Sequence, residues 1–144
     1  MATINSYLRF NGNCSEAMNF YKDCLGGELT MQKVGESPMA NNMPQQMQDK
    51  IMHASLKTDG FIIMGSDLCD ESGVIKGNDV SLLLDCDSED QVRSFYDRLG
   101  EGGRQTHPLE KTFWNALFGD LTDKFGINWM FNYEMKSVPE PSEN

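Results

Sequence analysis

Two stretches of this chain carry the same helix recipe in the same order. Asn13, Glu16, Ala17, Phe20 and Tyr21 are matched in kind by Ser88, Gln91, Val92, Phe95 and Tyr96, and glycine pairs follow at Gly26-Gly27 and Gly102-Gly103. A chain that repeats cap, apolar stripe and stop is constrained to fold as two copies of one unit. Asn13 and Ser88 can each accept a hydrogen bond from an unpaired N–H of the first turn, and Glu16 and Gln91 can reach back, so two capping boxes are predicted. Ala17, Phe20, Tyr21 and Cys24, then Val92, Phe95, Tyr96 and Leu99, recur at the spacing of one buried helix face. The glycine pairs are expected to end both helices through the left-handed conformation. Paired half-units leave a cleft at their junction, a favoured place for a small ligand.

Segments of strand character flank each helix: residues 4–10, 28–34, 50–57 and 60–66 around the first, and 80–86, 104–108, 113–118 and 127–133 around the second. Residues 50–66 read as a hairpin turned at Thr58-Asp59-Gly60. Ala54 and Leu56 find counterparts in Ala116 and Phe118, Met64 finds one in Met130, and residues 119–125 form the longer second turn. The predicted class is α+β: two β-α-β-β-β modules, about 1–68 and 78–136, forming a curled, partly open mixed sheet with the helices on its outer face. Both modules belong to a single domain, 1–136, followed by a disordered tail, 137–144.

At 144 residues and 39% hydrophobic, the chain can bury a real core. Its net charge of −10 repels phosphate backbones, which excludes nucleic acid as a partner. No segment reads as a secretory signal or a membrane span, so a cytoplasmic protein without a membrane partner is expected. Cys14, Cys24, Cys69 and Cys86 form no CxxC pair, the pattern of reduced thiols. The chain has neither a GxSxG elbow nor the Gly-rich loop of a doubly wound cofactor fold, and no cofactor is expected.

Residues 10–29, FNGNCSEAMNFYKDCLGGEL, and residues 111–133, KTFWNALFGDLTDKFGINWMFNY, resemble the PhnB-like branch of the vicinal oxygen chelate superfamily, which includes glyoxalase I, bleomycin-resistance proteins and extradiol dioxygenases. The resemblance implies a homodimer. It also implies that catalytic relatives hold a divalent metal through His, Glu or Gln of the first and last strands of each module. Carried over, those positions fall near Asn5, Met64, Asp79 and Met130. An amide, one carboxylate and two thioethers do not suit Zn²⁺, Ni²⁺, Mn²⁺ or Fe²⁺, so no metal is expected.

The leading reading is a metal-independent domain that binds a small, partly apolar organic molecule, with Asn5, Tyr7, His53, Met64, Asp79, Ser81, Trp114 and Met130 as ligand-binding candidates. Asn5, Tyr7 and Ser81 would orient polar groups, and Trp114 and the two methionines would supply contact area. The alternative is a metal-dependent lyase, isomerase or dioxygenase of the glyoxalase type whose donors have moved to His53, Asp67 or Asp79. A third reading is an interaction module whose chamber is filled by its own side chains. Whether a reaction is catalysed stays open. His53 and His107 also read as hydrogen-bonded structural residues, and Asp67, Asp70 and Glu71 as a solvated acidic turn. Met39, Met43 and Met47 mark the segment 36–49 as either a lid or a short helical connector.

Overall fold

The repeated helix recipe produces two helices, α1 (Cys14–Leu25) and α2 (Glu89–Leu99). A computed structural model describes residues 1–135, so the tail predicted to be disordered, 137–144, lies outside the described residues. The chain divides into two compact units, Met1–Ile75 and Lys76–Asn144. The first contains β1 (Ser6–Arg9), α1, β2 (Glu28–Lys33), β3 (Ile51–Lys57) and β4 (Ile62–Ser66). The second contains β5 (Leu82–Asp85), α2, β6 (Arg104–Lys111), β7 (Ala116–Thr122) and β8 (Asn128–Glu134). The sheet orders are β1-β4-β3-β2 and β5-β8-β7-β6. In each sheet the first strand runs parallel to the last, and the other pairs are antiparallel. The fold is therefore α+β, two β-α-β-β-β modules with open mixed sheets, as predicted.

One face of each sheet is covered by its helix. Cys14, Ala17, Met18, Tyr21 and Cys24 of α1 are buried, as are Ala54, Leu56 and Ile63 of the sheet; in the second unit Val92, Tyr96 and Leu99 are buried with Leu121, Trp129 and Phe131. Met18 takes the central place expected of Phe20, which, like Phe95, is only half-buried at the edge of its stripe. No described helix is long and apolar enough to cross a membrane. All four cysteines are thiols, with no disulfide among the described residues.

Four expectations about local structure need correction. Ser88 caps α2 by accepting a hydrogen bond from the Gln91 N–H at 3.1 Å, but the Asn13 side chain makes no cap bond. The carboxylate of Asp67 takes its place, accepting from the Cys14 N–H at 2.9 Å. The glycine repeat has a second cause besides helix termination. α2 ends at Gly100 with φ −80°, an ordinary right-handed value. Gly27 and Gly103 open the returning strands, where a Cβ would lie 2.6 Å from the Lys57 carbonyl oxygen and 2.4 Å from that of Thr122. Finally, β7 runs through Gly119 to Thr122 and the hairpin turns at Asp123–Ile127. Gly119 is a point of close approach to β6, where a Cβ would lie 2.9 Å from the His107 carbonyl oxygen, and not a turn residue. Met64 and Met130 are equivalent as expected, but Ala54 and Leu56 correspond to Gly119 and Leu121.

The connector between β2 and β3 contains three 3₁₀ turns and no α-helix. The Gln48 amide donates to the carbonyls of Ala40 at 2.9 Å and Met43 at 3.1 Å, and the Gly35 N–H donates to the Gln48 carbonyl oxygen at 2.9 Å. Met39 is exposed, whereas Met43 and Met47 are half-buried.

Candidate functional site

Because cross-strand partners share a face, the register sorts every strand residue into helix-side or open-side. On the open side of the first sheet, Tyr7 lies opposite Met64, Met64 opposite Ser55, and His53 opposite Gln32. The Tyr7 and His53 rings approach to 5.9 Å between centroids at a tilt of 38°, and the Arg9 guanidinium carbon lies 5.9 Å from the Tyr7 centroid. Tyr7 is 47% exposed. The face thus offers a phenol, an imidazole, a guanidinium, a hydroxyl and a thioether: contact area with hydrogen-bonding edges.

The open side of the second sheet is built differently. Leu83 lies opposite Met130, Met130 opposite Asp120, and Asp120 opposite His107. His107 Nδ1 lies 2.9 and 3.0 Å from the two Asp120 oxygens. Asn132 Nδ2 donates to Asp85 at 2.9 Å. Phe118, opposite Asn132, carries the Trp114 ring edge-on at 6.4 Å, and Trp114 in turn meets Phe113 at 4.8 Å. Asn115, at φ 64°, closes the tight turn that holds these two aromatics outward.

Two buried carboxylates support these faces from behind. Asp67 accepts from the N–H groups of Cys14 and Ile51 through separate oxygens, at 2.9 and 2.8 Å. Asp123 accepts from the N–H groups of Phe125 and Ile127 and from the Trp129 indole, at 2.8, 3.1 and 2.8 Å. The acidic turn is therefore only partly solvated: Asp67 is 6% exposed, while Asp70 and Glu71 are in solvent. Asp70 is held below the usual carboxylate range by hydrogen bonds from the Ser72 hydroxyl and then its N–H. Burial, and then the nearby Asp67, pushes the Cys14 thiol up to about 12; burial, then Asp85 and Asp87, pushes Cys86 up to about 11. Both are packing thiols and not nucleophiles at neutral pH.

The model of the Glyoxalase/Bleomycin resistance protein/Dioxygenase superfamily matches residues 3–131. The chain belongs to this superfamily. Protein YjdN of Escherichia coli strain K12 is 36% identical over 138 residues, 90% of this chain and 93% of that protein. The crystal structure of PA1353 from Pseudomonas aeruginosa superposes with TM-score 0.84 at 40% identity, covering 94% of this chain and 100% of that one. The PhnB protein from Bacillus cereus shares the fold with TM-score 0.72 at 23% identity, covering 92% and 99%.

The strands that the vicinal oxygen chelate resemblance designates for metal donors are β1, β4, β5 and β8. Asn5 and Asp79 do not lie on them, because these short strands begin only at Ser6 and Leu82. Asn5, Asp79 and Ser81 are exposed residues preceding the strands. The register instead sets Tyr7 against Met64 in the first unit and Leu83 against Met130 in the second. A phenol, an alkyl group and two thioethers do not fit a hard divalent ion. Among the described residues no three His, Cys, Asp or Glu side chains group as a metal site. Of the eight ligand-binding candidates, the structure brings Tyr7, His53 and Met64 together on one face, and Met130 and Trp114 onto the other. The sequence reading passed over Arg9, Leu83, Phe118 and the His107–Asp120 pair. Arg9 and Leu83 follow from strand alternation alone, whereas His107 and Asp120 are joined only by pairing across a hairpin.

Proposed function

We propose that this protein is a cytoplasmic, homodimeric member of the superfamily that binds a small, partly apolar organic molecule without a metal, through one domain spanning residues 1–136. The observation that carries the reading is the chemistry of the open faces. At the positions where β1 meets β4 and β5 meets β8, aromatic, alkyl and thioether side chains replace hard-ion donors, with Arg9, His53, Ser55, Asp85 and Asn132 around them. Thioethers and aromatic rings adapt to planar or irregular apolar ligands, and the surrounding polar groups would fix orientation. The acidic balance of the chain argues against nucleic acid as partner.

Against the metal-dependent alternative stands the engagement of both Asp67 oxygens by buried backbone N–H groups. Native mass spectrometry and elemental analysis of protein purified without chelator separate the readings. An organic mass retained on the chain, with binding indifferent to EDTA, is the expected result. One transition-metal ion per chain, with chelator-sensitive binding, would overturn it. Tyr7→Ala should weaken a ligand retained on the first sheet's open face, and Met130→Ala one retained on the second's, each by about tenfold, or about 1.4 kcal/mol. Sedimentation at working concentration tests the dimer, and a clean monomer refutes that part.

A further inference from the structure

The two modules enter their helices by different routes. Just past β1 the Phe10 N–H donates to the Ser66 carbonyl at 2.9 Å, and just past β5 the Cys86 N–H donates to that of Asn132 at 2.7 Å, so Phe10 and Cys86 are counterparts. Asn13 and Ser88 stand at the N-cap positions. Between these landmarks the second module has Asp87 alone, whereas the first has Asn11 and Gly12, the glycine at φ 93°. This is the only Asn-Gly step in the chain. A five-membered ring closes when the backbone nitrogen after an asparagine attacks the side-chain amide carbon, and glycine, having no Cβ, obstructs that approach least.

The surroundings of Asn11 favour the reaction. Both residues of the step are exposed to water. Asn11 Oδ1 accepts from the Val74 N–H at 3.2 Å, which draws electron density from the amide carbon, as a donor does at any carbonyl under attack. Among the described residues neither Asn11 Nδ2 nor the Gly12 N–H has a hydrogen-bond partner, so the leaving group and the nucleophile are both unencumbered. Other asparagines are held on regular backbone. Asn19 Nδ2 donates to the Ser15 carbonyl within α1, and on β8 Asn128 Nδ2 donates to the Gly77 and Val80 carbonyls and Asn132 Nδ2 to Asp85.

We propose that Asn11 is a self-modification site, converted in the folded protein through a cyclic imide to aspartate and isoaspartate, and that the isoaspartate loosens the joint between α1 and β3. Gly12 N bonds to Asn11 Cγ, the Cγ–Nδ2 bond breaks, and the Gly12 amide proton leaves with Nδ2 as ammonia. Water then opens the ring and supplies the oxygen of the new carboxylate. No oxidant or reductant takes part. Opening at the side-chain carbon gives aspartate, which still offers Val74 an acceptor and reproduces the acid that the second module already has in Asp87. Opening at the main-chain carbon gives isoaspartate. The chain then runs through Cγ and gains a methylene between the buried Phe10 and Cys14. The former Val74 acceptor becomes main chain, and the Cys14 N–H is displaced from the Asp67 oxygen that it meets at 2.9 Å.

The test ages the full chain in mildly alkaline buffer and maps it by peptide mass and electron-transfer fragmentation. Acid should form at Asn11 about tenfold faster than at any other asparagine, the rate effect of about 1.4 kcal/mol off the barrier. Isoaspartate should be the larger product there, and Asn11→Gln, which closes a ring far more slowly, should stop acid formation in this loop. The isoaspartyl form, resolved by chromatography, should unfold at a lower urea concentration than the parent, while Asn11→Asp should keep the parent's midpoint. Faster conversion at another asparagine, aspartate without isoaspartate, or an isoaspartyl form as stable as the parent would each overturn the proposal.

Discussion

Among the described residues each half of the molecule buries one carboxylate, and the two serve different joints. In the first half Asp67 links the first N–H of α1 to the first N–H of β3. In the second half Asp123 closes the β7–β8 turn and receives the indole N–H of Trp129. The counterpart of Asp123 is Thr58, which closes the shorter β3–β4 turn through its hydroxyl, accepting from the N–H groups of Gly60 and Phe61. The counterpart of Trp129 is Ile63, which asks for no acceptor. An aromatic donor placed in the core thus goes with an acid in the turn, as a buried N–H requires. The duplicated backbone register persists while the polar duties are redistributed. The open faces differ in the same way. The first sheet's open side carries Arg9 and the cross-strand pair of Lys57 and Glu28, whereas the second's carries Asp85, Asp120 and Glu110 beside Arg104.

The strongest way to break this comparison is to remove the two acids. Asp123→Ala would strand three donors, among them the buried Trp129 indole, and should cost about 4 kcal/mol in urea unfolding; Asp67→Ala strands two and should cost about 3 kcal/mol. Replacing Trp129 with Phe in the Asp123→Ala background should recover part of the loss. If Asp123→Ala costs no more with the indole present than without it, the coupling between turn and core is refuted.

The thiols sharpen the comparison through pH. The buried thiols of Cys14 and Cys86 keep their protons more tightly than the unfolded chain does, from the ordinary value of 9.0 up to about 12 for Cys14 and about 11 for Cys86. Between those values the unfolded state has lost a proton that the folded state retains. Stability therefore falls as pH rises, by about 1.4 kcal/mol per unit for each thiol. Above about pH 11 only the contribution of Cys14 should remain, and Cys14→Ala should flatten that last segment in urea titrations. An unchanged slope in the variant would place the alkaline loss elsewhere.

What can be read from the chain is what depends on neighbours in sequence. Helix stripes, the order of strands and the equivalence of Met64 with Met130 follow from local periodicity and turn chemistry, and they appear in the structure. Gly119 reads as a turn residue because a glycine inside a strand and a glycine in a turn look alike until the approach of β6 is known. Asp67 resembles its solvated neighbours Asp70 and Glu71, because nothing local reveals that its oxygens meet Cys14 and Ile51. The His107–Asp120 pair depends on a bulged register that no spacing encodes. The open-face positions of Tyr7 and Met64, on well-phased strands, are legible, whereas the placement of Asn5 and Asp79 depends on where short strands begin.

The smallest expected effect isolates the helix caps. Ser88 accepts from the Gln91 N–H, and Gln91 Oε1 reaches back to the Asp87 N–H at 2.7 Å, one residue before the cap, so the second helix carries its own N-terminal closure. Ser88→Ala should therefore cost about 1 kcal/mol. Asn13→Ala should change stability by only a few tenths, since the first N–H of α1 is satisfied by Asp67 and the Asn13 side chain contributes no cap bond. The double variant Asn13→Ala with Asp67→Ala tests the substitution directly: if Asp67 has taken over the cap, the asparagine should matter no more in the absence of the acid than in its presence. A cost that appears only when Asp67 is removed would mean that Asn13 can resume capping, and that the two halves retain a common closure beneath the distant carboxylate.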